Sequence, residues 1–231
     1  MTMRTMETLR RCIATRPRRW FLAITLLLGL AAAVLVTAGA QPADRTFSGV
    51  SGPVQSLMSV MVPLFGVLLA SDLRRTPHEA RVVPTLLAVA ALGAVVGLYG
   101  VIVCAIAIAA GGGTNQWDHA ATVAVGGILV QVVAGLVGTG LGLLLRPPIV
   151  AFLATIVLPL GLLLVLGSTD VLRPAQAWLT PYPSVQNLLA GEMDARAWAQ
   201  WLAVVMVWDV GLNAVGAALL RRRHVSASLS G

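Results

Sequence analysis

AATVAVGGILVQVVAGLVGTGLGLLLRPPIVAFLATIVLPLGLLLVLG, residues 120–167, holds two long apolar runs and a single charge, Arg146. The runs Ala120–Leu145 and Ile149–Gly167 each match the length of about 20 residues that an α-helix needs to cross about 30 Å of hydrocarbon. Between them, Arg146-Pro147-Pro148 reads as a tight turn, because proline ends one helix and suits the first turn of the next. At bilayer depth no water can satisfy the backbone, so only helices or a closed barrel are admissible. These runs are continuous rather than alternating in period two, which selects helices.

Working outward, four more runs have the same character: Trp20–Ala40, Val54–Ala70, Val82–Ala110 and Trp198–Leu220. The third run of the chain, Val82–Ala110, exceeds a straight span, and tilt or projection beyond the membrane would absorb the excess. With 58% hydrophobic and 11% charged residues and a mean hydropathy of +0.87, the composition is that of a membrane protein. No single soluble core of this length could bury so much apolar surface. The expected fold is therefore an all-α integral membrane protein, one transmembrane domain over residues 1–231. It comprises a cytoplasmic segment 1–19, helices at about 20–40, 54–70, 82–110, 120–145, 149–167 and 198–220, and an external segment 168–197.

Arginine sets the orientation. Six crossings place Arg4, Arg10, Arg11, Arg16, Arg18, Arg19, Arg74, Arg75, Arg81, Arg146, Arg221, Arg222 and Arg223 on one side. Only Arg45, Arg173 and Arg196 fall on the other, so the positive-inside rule puts both termini in the cytoplasm. Met3, Met6, Leu9 and Ile13 recur at helical spacing among arginines, as in an amphipathic helix on the membrane surface, with a disordered basic tail as the alternative. Ala38-Gly39-Ala40 resembles a signal-peptide cleavage site, but the preceding run is longer than the 7–15 residues of a typical h-region, so a retained helix is expected. Cys12 and Cys104 are expected on different levels of the bilayer and hence unpaired.

The net charge of +7 does not point to nucleic acid. All basic residues are arginine, they flank apolar runs, and no aromatic side chains interleave with them as on a single-strand platform. With no lysine, a P-loop is impossible, and there is no G-x-S-x-G, H-E-x-x-H or Cys-x-x-Cys. The three histidines, His78, His119 and His224, fall in loops or the tail. Enzyme chemistry, a cofactor and a metal are thus not expected on this chain. In the external segment, Pro174, Pro181 and Pro183 break the chain beside Trp178 and Tyr182. Val185, Leu188 and Leu189 there suggest a short helix lying at the membrane interface.

One ionisable residue falls inside a span. Asp209 lies near the middle of the sixth run, where an aspartate costs about 2.5–3.5 kcal/mol on insertion scales. Asn213 follows on the same face and Gly216 extends the stripe, with Gln131 of the fourth run as a candidate partner. A polar point on a substrate or proton path and a hydrogen-bonded helix contact are both open readings. Gly93-x-x-x-Gly97 and Gly138-x-x-x-Gly142 favour close helix packing, within the subunit or at a dimer seam.

Several features together resemble the permease subunits of ABC-2 type ATP-binding cassette transporters over nearly the whole chain. They are the basic amphipathic lead-in, the charged segment Ser71–Arg81, the glycine-rich Gly138–Arg146 helix end, the external Pro181–Leu189 segment and the Arg221-Arg222-Arg223-His224-Val225 tail. His224 departs from the Arg-Arg-Asp frequent in family tails, and Arg74-Arg75-Thr76-Pro77 departs from the family's Arg-Gly-Thr. The resemblance implies a permease that dimerises with a second permease subunit, in contact with membrane lipid, and is driven by a separate nucleotide-binding ATPase. Asp72, Arg74, Arg75, Glu79 and Arg81 would then contact that ATPase. A bacterial cell membrane is the expected location, in keeping with the arginine-, alanine- and glycine-rich composition of a GC-rich genome. The competing expectations are an autonomous secondary transporter or channel, and a non-transporting membrane scaffold or assembly subunit.

Overall fold

The computed structural model describes residues 15–41, 45–75, 82–111 and 116–229, with side chains as far as Arg222. Among these the chain is predominantly helical, without strands. Successive helices are α1 (Arg16–Gly39), α2 (Phe47–Arg75), α3 (Val82–Gly111), α4 (Ala120–Leu144), α5 (Pro148–Gly167), α6 (Arg173–Leu179) and α7 (Pro181–Ala190). The last span is composite: α8 (Ala195–Val205), a π-helical turn (Met206–Gly211) and α9 (Leu212–Leu229). Six of these units are long and apolar enough to cross a membrane, α1 to α5 and Ala195–Arg222. The proposed lead-in helix of residues 1–14 lies outside the described residues.

Proline sets several boundaries, in the first turn of α1, α5, α6 and α7, where its missing N–H removes no helical bond. Asp194 caps α8, its carboxylate accepting from the Ala197 N–H at 2.6 Å. The second span is longer than its hydropathy suggests. It runs from Phe47 rather than Val54 and continues to Arg75 rather than Ala70. The extra turn at its start is anchored by packing: the Phe47 ring stacks on Trp117 at 5.8 Å, and its N–H donates to the Gln116 carbonyl at 2.8 Å. The segment expected as a loop from Ser71 is thus helical through Arg75, and Thr76–Arg81 lie outside the described residues.

α4 is the axis of the bundle. Glycines strip it of side chains wherever a neighbour crosses. Gly138 and Gly142 lie against Pro63 and Val67 of α2, where an added Cβ would sit 2.7 Å from the Pro63 Cα and 2.8 Å from the Val67 Cα. On the α3 side, Gly93 and Gly97 receive the α4 backbone, 2.9 Å from the Val132 Cα and 2.7 Å from the Ile128 Cα by the same measure. Both small-x-x-x-small motifs therefore pack inside the chain. Against α1, α2 and α3, a continuous apolar core includes Ala33, Phe47, Val54, Met58, Phe65, Val96, Cys104 and Ile108.

The short helix expected around Val185, Leu188 and Leu189 is present as α7, preceded by α6; α7 docks on α4 with Leu188 fully buried and Leu189 nearly so. Gly126 makes this possible, since a side chain there would collide with Leu188. Leu188 and Leu189 join Val130 and Trp201 in a cluster of their own.

Candidate functional site

Polar side chains gather at three places in the bundle. The first is the arginine-rich end, where α1 begins, α2 ends and α4 turns into α5. Arg18 pairs with Asp72 at 2.7 Å, tying α1 to α2. Two residues further on, Arg74 donates from one guanidinium nitrogen to the Leu145 carbonyl and from the other to the Arg146 carbonyl, the latter at 2.9 Å. The Leu145 carbonyl is one that the C-terminus of α4 leaves without a helical donor, and a cation there also suits the helix dipole. Leu220 closes the same end by packing with Ala70, Leu73 and Leu143. Asp72, Arg74 and Arg75 thus share the last turn of α2, with Arg75 exposed, while Glu79 and Arg81 lie outside the described residues.

The second place lies between α2, α3 and α4. The Gln131 amide donates to the Gln55 backbone carbonyl at 2.8 Å and to the Gln55 side-chain oxygen at 2.9 Å. Gln55 in turn donates to the Gly97 carbonyl at 3.0 Å. Gly100 and Gly127 leave room for it: a Cβ on either would approach the Gln55 amide nitrogen to 2.7 Å. Both glutamines are fully buried. Gln131, a candidate partner for Asp209, thus commits its amide to Gln55 of the neighbouring helix instead. Gln55 is the residue that sequence reasoning passed over. Placing the start of the second span at Val54 made this amide look like a helix end, when it sits two turns inside.

The third place is midway along the last span. Asp209 falls in the π-helical turn and is 5% exposed. Neither of its carboxylate oxygens has a hydrogen-bond partner among the described residues. Asn213 is nearby and buried, and its amide donates to the Leu136 carbonyl of α4 at 3.0 Å and to the Asp209 backbone carbonyl at 2.8 Å. Gly140 and Gly216 bring α4 and α9 close here, since a Cβ added at either would sit 2.7 Å from a leucine Cβ on the other helix, too near for a side chain. The stripe Asp209, Asn213 and Gly216 is thus turned toward α4, and its Asn213 and Gly216 serve the helix contact. A single π turn inside an α-helix is a feature that often accompanies functional sites.

Beside these lies a groove of about 450 Å³. Ser56, Ser59, Val60 and Pro63 of α2 form one wall, and Thr155, Ile156, Pro159 and Leu160 of α5 the facing one. Val130, Val133, Ala134 and Val137 of α4 make the floor, and Pro181, Tyr182, Val185 and Gln186 of α7 close one end. At that end the Gln186 amide donates to the Tyr182 hydroxyl at 2.8 Å.

The fold and these sites define a class: among the described residues, a helical protein with six helices long and apolar enough to span a membrane and with polar groups enclosed between them. No protein-family model matches the chain, and comparison with curated proteins finds no match either.

Proposed function

We propose that the chain is the membrane-spanning permease subunit of an ABC-2 type ATP-binding cassette exporter. In this reading it sits in a bacterial cell membrane with both termini in the cytoplasm, pairs with a second permease subunit, and is driven by an ATPase on a separate chain. The observation that carries the reading is the knot at the arginine-rich end. Arg18–Asp72 and the Arg74 bonds to the α4–α5 turn link the ends of α1, α2, α4 and α5. A partner that displaced the end of α2 would move these spans together, which is what a motor acting from outside the membrane requires. The sequence resemblance runs through the same residues.

The test is purification in mild detergent from the native host, followed by mass spectrometry of what accompanies the chain. A stoichiometric ATP-binding cassette ATPase is expected, and its reproducible absence from a folded preparation would overturn the reading. Arg75→Glu should then release the ATPase with the bundle intact, whereas Arg74→Glu should loosen the α4–α5 turn as well. One observation favours a second reading, a proton-coupled secondary transporter: the mid-span carboxylate of Asp209, which has no hydrogen-bond partner among the described residues. That reading predicts transport driven by a proton gradient without nucleotide, and abolished by Asp209→Asn.

A further inference from the structure

A polar cavity lies at the end of the bundle opposite the arginine-rich one. The link 191–194 between α7 and α8 passes there, beside His119 at the start of α4, and a Cβ on Gly191 would sit 2.7 Å from the His119 Cβ. The cavity, of about 610 Å³, is lined by Asn187 of α7, Glu192, Met193 and Asp194 of the link, and Arg196 and Gln200 of α8. Its backbone walls are fixed. Gly191, at φ 81°, closes α7: its N–H donates to the Leu188 carbonyl and the Glu192 N–H to the Asn187 carbonyl. Asp194 then caps α8.

Gln200 marks this cavity as a site. The buried face of α8 is Ala197, Gln200, Trp201 and Val204, a stripe that is otherwise apolar. Gln200 is 7% exposed, lines the cavity, and makes no side-chain hydrogen bond among the described residues. A buried amide without a partner is costly, and a ligand that bonds it relieves the cost. The charges define what that ligand carries. Glu192 and Arg196 are exposed, opposite in sign and on the same cavity, yet among the described residues neither is ion-paired. Asp194 adds a second carboxylate, one oxygen of which accepts from the Ala197 N–H at 2.6 Å. Two carboxylates and one guanidinium around an amide suit a zwitterion whose cationic group donates hydrogen bonds.

Position supplies the source of such a ligand. Trp117, just before α4, and Trp198, in the first turn of α8, are 50% and 37% exposed at this end. Exposed tryptophans favour the membrane–water boundary, the level of the lipid headgroups. We propose that the cavity binds the phosphoethanolamine headgroup of a membrane lipid. Its ammonium donates to Glu192 and to the Gln200 amide oxygen, and its phosphate accepts from Arg196. A trimethylammonium head has no N–H to give, and a phosphoglycerol head offers the carboxylates no positive charge. The proposal requires that the chain span a membrane and nothing of the permease reading.

The test is native mass spectrometry of the full chain in detergent micelles. It is titrated with phosphatidylethanolamine, phosphatidylcholine and phosphatidylglycerol of identical acyl chains. The first phosphatidylethanolamine should bind about tenfold more tightly than either other lipid, the ratio that one charge-assisted hydrogen bond supports. Glu192→Gln with Arg196→Gln, both at exposed positions, should erase that preference without disturbing the fold. Gln200→Leu should weaken phosphatidylethanolamine alone. Arg173→Gln, at an exposed position outside the cavity, should leave the preference intact. Glycerophosphoethanolamine, the same head without acyl chains, should displace the lipid only at far higher concentration. Equal affinity for that soluble head would overturn the assignment to a lipid. Equal binding of the three lipids, or a preference that survives the paired Glu192 and Arg196 substitutions, would overturn the site itself. No outcome depends on an ATPase, so the cavity and the permease reading can fail separately.

Discussion

α4 and α5 are consecutive, similarly apolar and joined by one turn, yet they occupy opposite roles. By hydropathy α5 is the more apolar, at 2.9 against 2.2 for α4. It is nevertheless α4 that is enclosed, with 39% of its most apolar stretch buried against 11% of that of α5. The difference lies in glycine and in polar side chains. Six glycines of α4 each lie against another element: Gly126 against α7, Gly127, Gly138 and Gly142 against α2, Gly135 against α3 and Gly140 against α9. In α5, Gly161 has nothing within 4 Å. Hydrocarbon is as apolar as leucine, so hydrophobicity alone cannot draw one helix toward another in a bilayer. Close approach and interhelical hydrogen bonds decide the centre, and α4 has both.

The contrast is most easily broken at the glycines. Gly138→Leu should be the most damaging substitution, because its Cβ would meet the Pro63 backbone, which has no rotamer by which to yield. Overpacking of this kind costs about 1–3 kcal/mol or more, and should lower the thermal midpoint of the purified protein sharply or prevent its recovery. Gly161→Leu should leave the midpoint unchanged. Similar losses from both would contradict the division between axis and periphery.

A smaller effect is expected at the buried amides. Gln55→Met removes the side-chain oxygen that accepts from the Gln131 amide, while the Gln55 backbone carbonyl remains to accept, and should cost about 1 kcal/mol. Adding Gln131→Met should recover part of that loss, and a double-mutant cycle on thermal or denaturant stability gives the coupling. Purely additive losses would mean that the two amides do not act as a pair. The smallest effects belong to the contact between α4 and α9. Asn213→Ala should cost about 0.6 kcal/mol, the average for interhelical hydrogen bonds in a membrane. Asp209→Asn should leave stability nearly unchanged, since neither carboxylate oxygen has a hydrogen-bond partner among the described residues. A large loss at Asp209 would assign that side chain to holding the bundle together.

Much of the contrast was legible in the sequence, though not its geometry. The spans of α3, α4 and α5 follow directly from apolar length, within one residue at either end. The glycine motifs at residues 93–97 and 138–142 were recognisable as packing faces. Their partners were not, because spacing says that a face is smooth and not which helix will meet it. α2 was underestimated because Ser51 and Gln55 lower the local hydropathy, although both are fully buried by neighbouring helices. Gln131 was legible only as a candidate partner for Asp209; its bonds to Gln55 depend on the lateral order of the helices, which the sequence does not carry. The π turn at Met206–Gly211 has no periodic signature in so uniformly apolar a run.

The most direct test of the central claim, that α4 packs as the axis within one chain, is a disulfide between Ala70→Cys and Gly142→Cys. In a background lacking Cys12 and Cys104, oxidation with copper phenanthroline in native membranes should give an intramolecular cross-link, since these positions face one another on α2 and α4. A cleavage site introduced between the two cysteines would then yield fragments held together until reduction. A covalent dimer instead, or no cross-link from a folded protein, would place the glycine face at a seam between subunits and contradict the account.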